Sequence, residues 1–309
     1  MENVNSNEFY FSIVIPVYNR SMEVLNLLDT LQEQTFKNFE VIIVDDGSDD
    51  DVGSQFRSDY GFSVNLVRQE NSGGGAARNN GILRSSGKYI AFLDSDDFFM
   101  PNKLLTFKEW IDKTNATMLF SYARVDRGGG VFGRKPNRPI RSDESFEHYA
   151  LIARQPAQTS TLVVEAELAK SVLFDPKLKK FQDIDFGLRL AAAGAKICFV
   201  PEELTIWTDK LADGRVGNKR RPEMAKEWLE KNKNIMSKKG VIGFKANLLS
   251  YEIGESERLL AAWYIVDGVV RGGVSLKRSL HSFTRALIPQ AYYRSIVDRL
   301  LLIKTKMMR

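Results

Sequence analysis

The chain has one cysteine, Cys198, in 309 residues. No internal disulfide can form, and the fold must rest on an apolar core; a lone thiol also fits a reducing compartment. No apolar run reaches the roughly 18 residues that a membrane-crossing helix needs. The stretch Met1 to Tyr10 is polar and slightly acidic, without a basic region followed by an apolar one, so the expectation is of a chain kept in the cytoplasm. Internal repeats and low-complexity tracts are missing, which excludes solenoids and arrays. A Gly-x-Gly-x-x-Gly run after the first strand is missing too. Pro16-Val17-Tyr18-Asn19 stands there instead, which argues against a nicotinamide-dependent dehydrogenase.

What is present is an ordinary globular composition, 43% hydrophobic and 27% charged, long enough for one large domain or two modest ones. The net charge of +5 hides an asymmetry. Residues 1–209 carry 23 Lys+Arg against 30 Asp+Glu, a balance of −7, while residues 210–309 carry 21 against 9, a balance of +12. Two regions with different partners are expected, the second facing an anionic ligand or surface. No nucleic-acid module or aromatic–basic alternation accompanies the charge, so nucleic acid is not expected.

Apolar β-branched runs at Phe11–Val17, Val41–Val44, Val64–Arg68 and Tyr89–Leu93 predict buried strands. Helical spacing of Val24, Leu25, Leu27, Leu28 and Leu31, and the segment Ala76–Leu83, predict helices between them. Strands alternating with helices mean a largely parallel α/β sheet covered on both faces. Further on, a helix is predicted over Leu104–Ile111, strands at Thr117–Tyr122 and Thr161–Val164, a loop or hairpin at Gly128–Pro139, a helix at Ile184–Ala193 and a short strand at Ile197–Val200. Thr208–Pro222 reads as a mobile loop or boundary, followed by a mainly helical remainder.

Four clusters carry chemistry. Asp94-Ser95-Asp96-Asp97 follows a buried strand, where ligands sit in open α/β sheets. Three carboxylates in four residues repel one another and favour a hard cation, Mg²⁺ or Mn²⁺; the plainer alternative is an acidic turn. Asp45-Asp46-Gly47-Ser48, again at a strand end, offers carboxylates to a base or ribose, or forms a simple turn. Ser72-Gly73-Gly74-Gly75 lets the backbone approach a phosphate, with Arg78 supplying a fork of donors. Asp183 stands at the start of a predicted helix, able to act as a general base or merely to cap it. Asp185, two residues on, points elsewhere and is expected to cap or pair.

Together, Ser12-Ile13-Val14-Ile15-Pro16-Val17-Tyr18-Asn19, Val44-Asp45-Asp46-Gly47-Ser48, Gly75-Ala76-Ala77-Arg78-Asn79, Phe92-Leu93-Asp94-Ser95-Asp96-Asp97 and Gln182-Asp183 resemble the family 2 glycosyltransferases with the GT-A fold, bacterial surface-polysaccharide type, across about the first two-thirds of the chain. The resemblance implies a mostly parallel, mixed central sheet flanked by helices, with a C-terminal helical extension. A catalytic domain is expected over 1–215 and a basic, mainly helical extension over 216–309.

It also implies roles. Pro16 and Tyr18 line the nucleotide base pocket, Asp46 holds the base and Arg78 sits near the nucleotide. Asp94 and Asp96 form the Asp-x-Asp element that holds Mn²⁺ or Mg²⁺, with Asp96 the more direct ligand. Asp94, Ser95 and Asp97 attend the donor, and Asp183 is the base of an inverting transfer. The family's usual Glu-Asp pair is here Gln182-Asp183. The histidine that many members place after the last catalytic strand is absent from Leu204–Thr208; His148 and His281 do not occupy a matching place. The donor is expected to be a UDP-sugar, the acceptor a saccharide or a polyprenyl-diphosphate-linked one. Gln158, Thr159 and Ser160 stand as candidates for sugar contacts. Thr208–Pro222 could close over the donor. Residues 271–309 hold nine Lys+Arg and one acid, Asp298; within them Tyr292 to Ile303 is apolar at near-helical spacing, with Arg294, Arg299, Lys304, Lys306 and Arg309 interspersed. This tail is expected to lie on an anionic membrane surface at the inner face of the cell membrane, or else to pack on the catalytic domain or a second subunit. The alternative is a non-catalytic sugar-nucleotide-binding or membrane-surface module of the same fold.

Overall fold

The computed structural model describes residues 9–54, 56–57, 59–209 and 220–288, together with 292, 293, 297 and 299. The chain divides into two compact units. The first comprises Met1–Asp126, Arg134–Pro139 and Ala157–Asp209; the second comprises Arg127–Gly133, Ile140–Pro156 and Lys210–Arg309.

In the first unit, β1 (Phe11–Val17), β2 (Phe39–Asp45), β3 (Ser63–Arg68) and β4 (Tyr89–Phe92) pair in parallel, in the order β3-β2-β1-β4. The sheet continues through β8 (Val163–Glu165), β6 (Met118–Asp126), β9 (Ile197–Thr208) and β5 (Phe98–Phe99), with β7 (Phe132–Lys135) pairing β6. Strand β8 runs antiparallel to both β4 and β6, and β5 antiparallel to β9, so the sheet is mixed.

Alternation along β1 explains the layers. Ile13, Ile15 and Val17 point to one face, where they pack with Val24, Leu27, Leu28 and Leu31 of α1 (Ser21–Leu31) and with Leu104, Phe107 and Ile111 of α3 (Lys103–Thr114). On the other face, Ala77 of α2 (Gly74–Arg84) joins Ile42 and Val44. There a Cβ built on Gly81 would stand 2.4 Å from Val14 Cγ1, so only glycine lets helix and strand come this close. Helices α4 (Ala166–Val172) and α5 (Gln182–Ala192) complete the unit.

Two strands run beyond the reading from residues alone. β6 continues four residues past Tyr122, and β9 reaches Thr208 instead of stopping at Val200. Pro201 has no N–H to give a ladder, which argues for an end there. The sheet absorbs it as an irregularity: Val200 lies opposite Ser121, but Glu203 opposite Tyr122 and Thr205 opposite Ala123.

The second unit is helical: α6 (Pro222–Asn232), α7 (Lys238–Phe244), α8 (Ser250–Ile253), α9 (Arg258–Val270) and α10 (Leu276–Leu287), with wide helical turns at His148–Ile152 and Lys245–Leu249. Trp228 of α6 stacks on Phe244 of α7 with ring centroids 4.6 Å apart. Buried Asn247 donates to the Leu151 carbonyl at 2.9 Å and accepts from Ser282 Oγ at 3.0 Å, which ties α10 to the unit's interior. Among the described residues no helix is long and apolar enough to cross a membrane. Residues 210–219 of the expected closing loop, and most of 289–309, lie outside the described residues.

Candidate active site

The carboxyl ends of β1, β2 and β4 deliver Tyr18, Asp46 and Asp94, as the geometry of an open α/β sheet requires of a ligand site. Pro16 lies in β1 opposite Val44, and Tyr18 is exposed just beyond the strand.

Asp45 and Asp46 are both buried, and both hold the loops. Asp45 accepts from Arg68 Nη1 at 2.7 Å and from the Ser48 N–H at 2.8 Å. Asp46 accepts from Gln69 Nε2 at 2.8 Å, the Ser72 N–H at 2.8 Å and the Gly73 N–H at 2.7 Å. Three bonds occupy most of a carboxylate's capacity, so Asp46 shapes the glycine-rich turn and keeps about one lone pair for a ligand. Gly73, at φ +88°, caps α2 in a conformation open to glycine.

Arg78 is the hub. It is buried on α2, donates through Nη2 to Asp94 Oδ1 at 2.5 Å and through Nη1 to Gln182 Oε1 at 2.7 Å. Its guanidinium lies 5.5 Å from the Phe174 ring centroid. Gln182 also donates to the Leu178 carbonyl, which an unprotonated glutamate there would not do. One guanidinium thus joins the Asp94 turn to the first residue of α5, and Asp183 is the next residue. Asp183 Oδ1 accepts from the Ile184 N–H at 2.9 Å. Asp185 turns inward to Arg189 at 2.7 Å, the pairing expected of it.

Asp94, Asp96 and Asp97 differ sharply in setting. Asp97 is buried and saturated: Ser160 Oγ donates to it at 2.6 Å, Gln158 Nε2 at 2.8 Å and the Thr208 N–H at 2.9 Å. Burial, then the charges of Asp94 and Asp96, push its carboxyl up to about 8 against the hydrogen bonds that favour ionisation. Asp94 and Asp96 are partly exposed. Asp96 pairs with Arg20 Nη1 at 3.0 Å, and the same nitrogen reaches Ser95 Oγ at 3.4 Å. Gln158 and Ser160 therefore brace this turn: the Asp94 N–H also donates to Ser160 Oγ at 3.0 Å.

Beneath lies Lys103, wholly buried, with Nζ donating to the Ser160 carbonyl at 2.5 Å and to Thr205 Oγ1 at 2.9 Å. Burial drives its ammonium well below the ordinary lysine range, partly offset by Asp97. Sequence reading missed Lys103 and Arg20. A lysine opening an amphipathic helix reads as solvated, and an arginine after Tyr18-Asn19 carries no motif.

A divalent cation fits the donor set. Asp94 and Asp96 offer hard, partly exposed oxygens, each paired with an arginine that a cation could supplement. Among the described residues no set of three or more His, Cys, Asp or Glu side chains converges as ligands. Two carboxylates with phosphate oxygens or water would complete the shell. His148 instead meets Glu144 at 2.6 Å and His281 meets Tyr293 at 2.8 Å. Two polar atoms of the site, Arg78 Nε and Gln158 Oε1, are buried without a hydrogen-bond partner. Each such orphan costs about 1–3 kcal/mol, which a bound ligand can recover.

Known proteins resemble this chain in sequence or in fold. The chain is 33% identical over 250 residues to the amylovoran biosynthesis glycosyltransferase AmsB of Erwinia amylovora, covering 76% of this chain and 82% of that one. The fold matches Staphylococcus aureus TarS 1–349, solved in complex with UDP-GlcNAc, at a TM-score of 0.62 and 19% identity, over 92% and 91% of the two chains. It also matches the Pyrobaculum calidifontis mannosyltransferase PcManGT, solved with GDP-Man and Mn²⁺, at a TM-score of 0.58 and 15% identity, over 97% and 86%. Residues 12–164, which hold β1 to β4 and the whole Asp94–Asp97 turn, match the family described as glycosyl transferase family 2, and with the AmsB likeness this establishes that the chain belongs to that family, built on the GT-A fold.

Proposed function

We propose that this glycosyltransferase moves a sugar from a UDP-sugar to a hydroxyl of a saccharide or polyprenyl-diphosphate-linked acceptor, with inversion, in the assembly of a surface polysaccharide. The observation that supports the reading is the Arg78 bridge, which ties Asp94 to Gln182, the residue before the base candidate Asp183. The UDP-GlcNAc bound by TarS supports the choice of donor, and the role printed for AmsB supports the choice of pathway class.

Pro16 and Tyr18 would flank the base, and Asp46 would take it with its remaining lone pair while holding the loop. Asp94 and Asp96 would hold Mn²⁺ or Mg²⁺. When bound, such an ion supplies charge compensation for the departing nucleotide diphosphate. Arg78, already buried and held by Asp94 and Gln182, offers Nε toward the same negative charge. Ser95 and Asp97 would attend the donor, Asp97 by keeping the turn in place. Asp183 would take the acceptor proton as the hydroxyl oxygen attacks the anomeric carbon. The new C–O bond forms as the bond to the diphosphate oxygen breaks on the opposite face. A cytoplasmic enzyme working at the inner membrane face, with the basic segment 292–303 on the lipid, suits a lipid-linked acceptor.

The test is a thermal-shift series with UDP-, GDP- and dTDP-sugars, each with and without Mn²⁺. A ligand at a hundred times its Kd stabilises by about 2.7 kcal/mol, a rise of several degrees for a chain of this size. The expected outcome is a Mn²⁺-dependent rise with UDP-sugars. A flat response from folded protein would favour the non-catalytic module.

A further inference from the structure

Helices α9 and α10 of the second unit both turn apolar side chains to the outside. In α9, small or apolar Ala261, Ile265 and Gly268 face inward. Beyond Arg258, every fully exposed side chain of the helix is also apolar: Leu259 at 89%, Trp263 at 61%, Val266 and Val270. These four recur at i, i+4, i+7 and i+11, a single stripe on the outer side. In α10 the inversion is plainer. Ser279, Ser282 and Ala286 are buried, with Ser282 bonded to Asn247, whereas Leu276 at 72% and Leu280 at 66% face solvent. A helix that buries serine and exposes leucine is not folded for water on that side. The two helices pack on each other, and the turn between them carries the pattern across, with exposed Val270 and Leu276 flanked by exposed Arg271 and Lys277.

We infer that this α9–α10 face is a docking surface for an anionic lipid bilayer. Charge selects the occupant. Residues 258–288 hold Arg258, Arg271, Lys277, Arg278 and Arg285 against one acid, Asp267, which already pairs with Arg271 at 2.9 Å. A second copy would bring the same basic face against itself, and like charges would oppose the contact. The chain's own remainder, 289–309, carries Arg294, Arg299, Lys304, Lys306 and Arg309 against Asp298, so it repels in the same way. A bilayer of anionic lipid matches both properties at once: apolar side chains enter the acyl boundary, tryptophan suits the headgroup level, and lysine and arginine meet the phosphates. This gives the proposed lipid-linked acceptor a membrane to be met on, and it adds the α9–α10 face to the C-terminal segment already proposed to lie there.

The experiment is flotation of the full-length protein with phosphatidylcholine vesicles and with mixed phosphatidylcholine–phosphatidylglycerol vesicles, at low and high salt. The wild type is expected to bind the mixed vesicles and to bind less at high salt. The double variant Trp263→Ser/Leu280→Ser, with circular dichroism unchanged because both sites are exposed, is expected to bind about tenfold more weakly. Arg271→Gln/Lys277→Gln is expected to lose most of the salt dependence. Wild type that fails to bind, or the Trp263/Leu280 variant binding as tightly as wild type, overturns the inference. So does a monomer–dimer equilibrium, seen by sedimentation without vesicles, that this variant abolishes. No sugar donor enters the measurement, so its failure would leave the transferase reading standing.

Discussion

At the scale of single residues, four aspartates at the site fall into two kinds because their surroundings differ. Asp46 and Asp97 are buried and spend their oxygens on loops; Asp94 and Asp96 keep theirs near solvent, paired with Arg78 and Arg20. Asp183→Asn keeps shape but removes the proposed base. Transfer is expected to fall by about 10²–10⁴, while donor binding by calorimetry changes little; an unchanged kcat would refute the base role. Lys103 supports the site without touching it. Lys103→Met would leave the Thr205 hydroxyl without its donor and the Ser160 carbonyl with only the bond from Thr205 Oγ1 at 3.1 Å, at a cost of about 1–3 kcal/mol, read as a lowered midpoint in urea unfolding.

At the scale of elements, α2 does most to assemble the site. Its N-cap, Gly73, donates to Asp46, its second turn carries Arg78, and its last lies against β1 through Gly81. The glycine is a packing requirement, since any Cβ would enter Val14. Gly81→Ala is expected to destabilise by about 1–3 kcal/mol through overpacking, a fall of a few degrees in Tm by calorimetry. Strand β9 shows the other side of element formation. Its ladder tolerates Pro201 because the pairing with β6 steps past it, and the extension places the Thr208 N–H on Asp97. That contact exists only because the strand is longer than its apolar run.

At the scale of the whole molecule, the first unit is an α/β sheet with its chemistry at the strand ends, and the second is a helical unit with basic, apolar outer faces on α9 and α10. Global stability should fail in alkali for a stated reason. Burial first, then the charges of Glu165 and Asp112, push the Tyr89 phenol up to about 12 from its ordinary 10.0, and its hydroxyl donates to the Ala116 carbonyl at 3.1 Å. Between those values the unfolded chain has lost a proton that the folded chain keeps, so stability falls as pH rises through this window, by roughly 1.4 kcal/mol per unit for one such group. Tyr89→Phe is expected to flatten that slope in a series of melting curves; an unchanged slope would show that other groups set the alkaline limit.

The order of residues alone was enough for the β–α alternation, for the carboxylate turn at Asp94–Asp97 and for Asp183 at a helix start, because each depends on local periodicity or on residue types packed within a few positions. Three-dimensional packing decided the rest. It set the lengths of β6 and β9, the burial of Lys103, the bond from Arg20 to Asp96 and the Arg78 bridge to Gln182, 104 residues away. It also set which side of α10 meets water. An amphipathic pattern names two faces, and sequence expects the apolar one inside; only the neighbours of Ser279, Ser282 and Ala286 show that here it is outside.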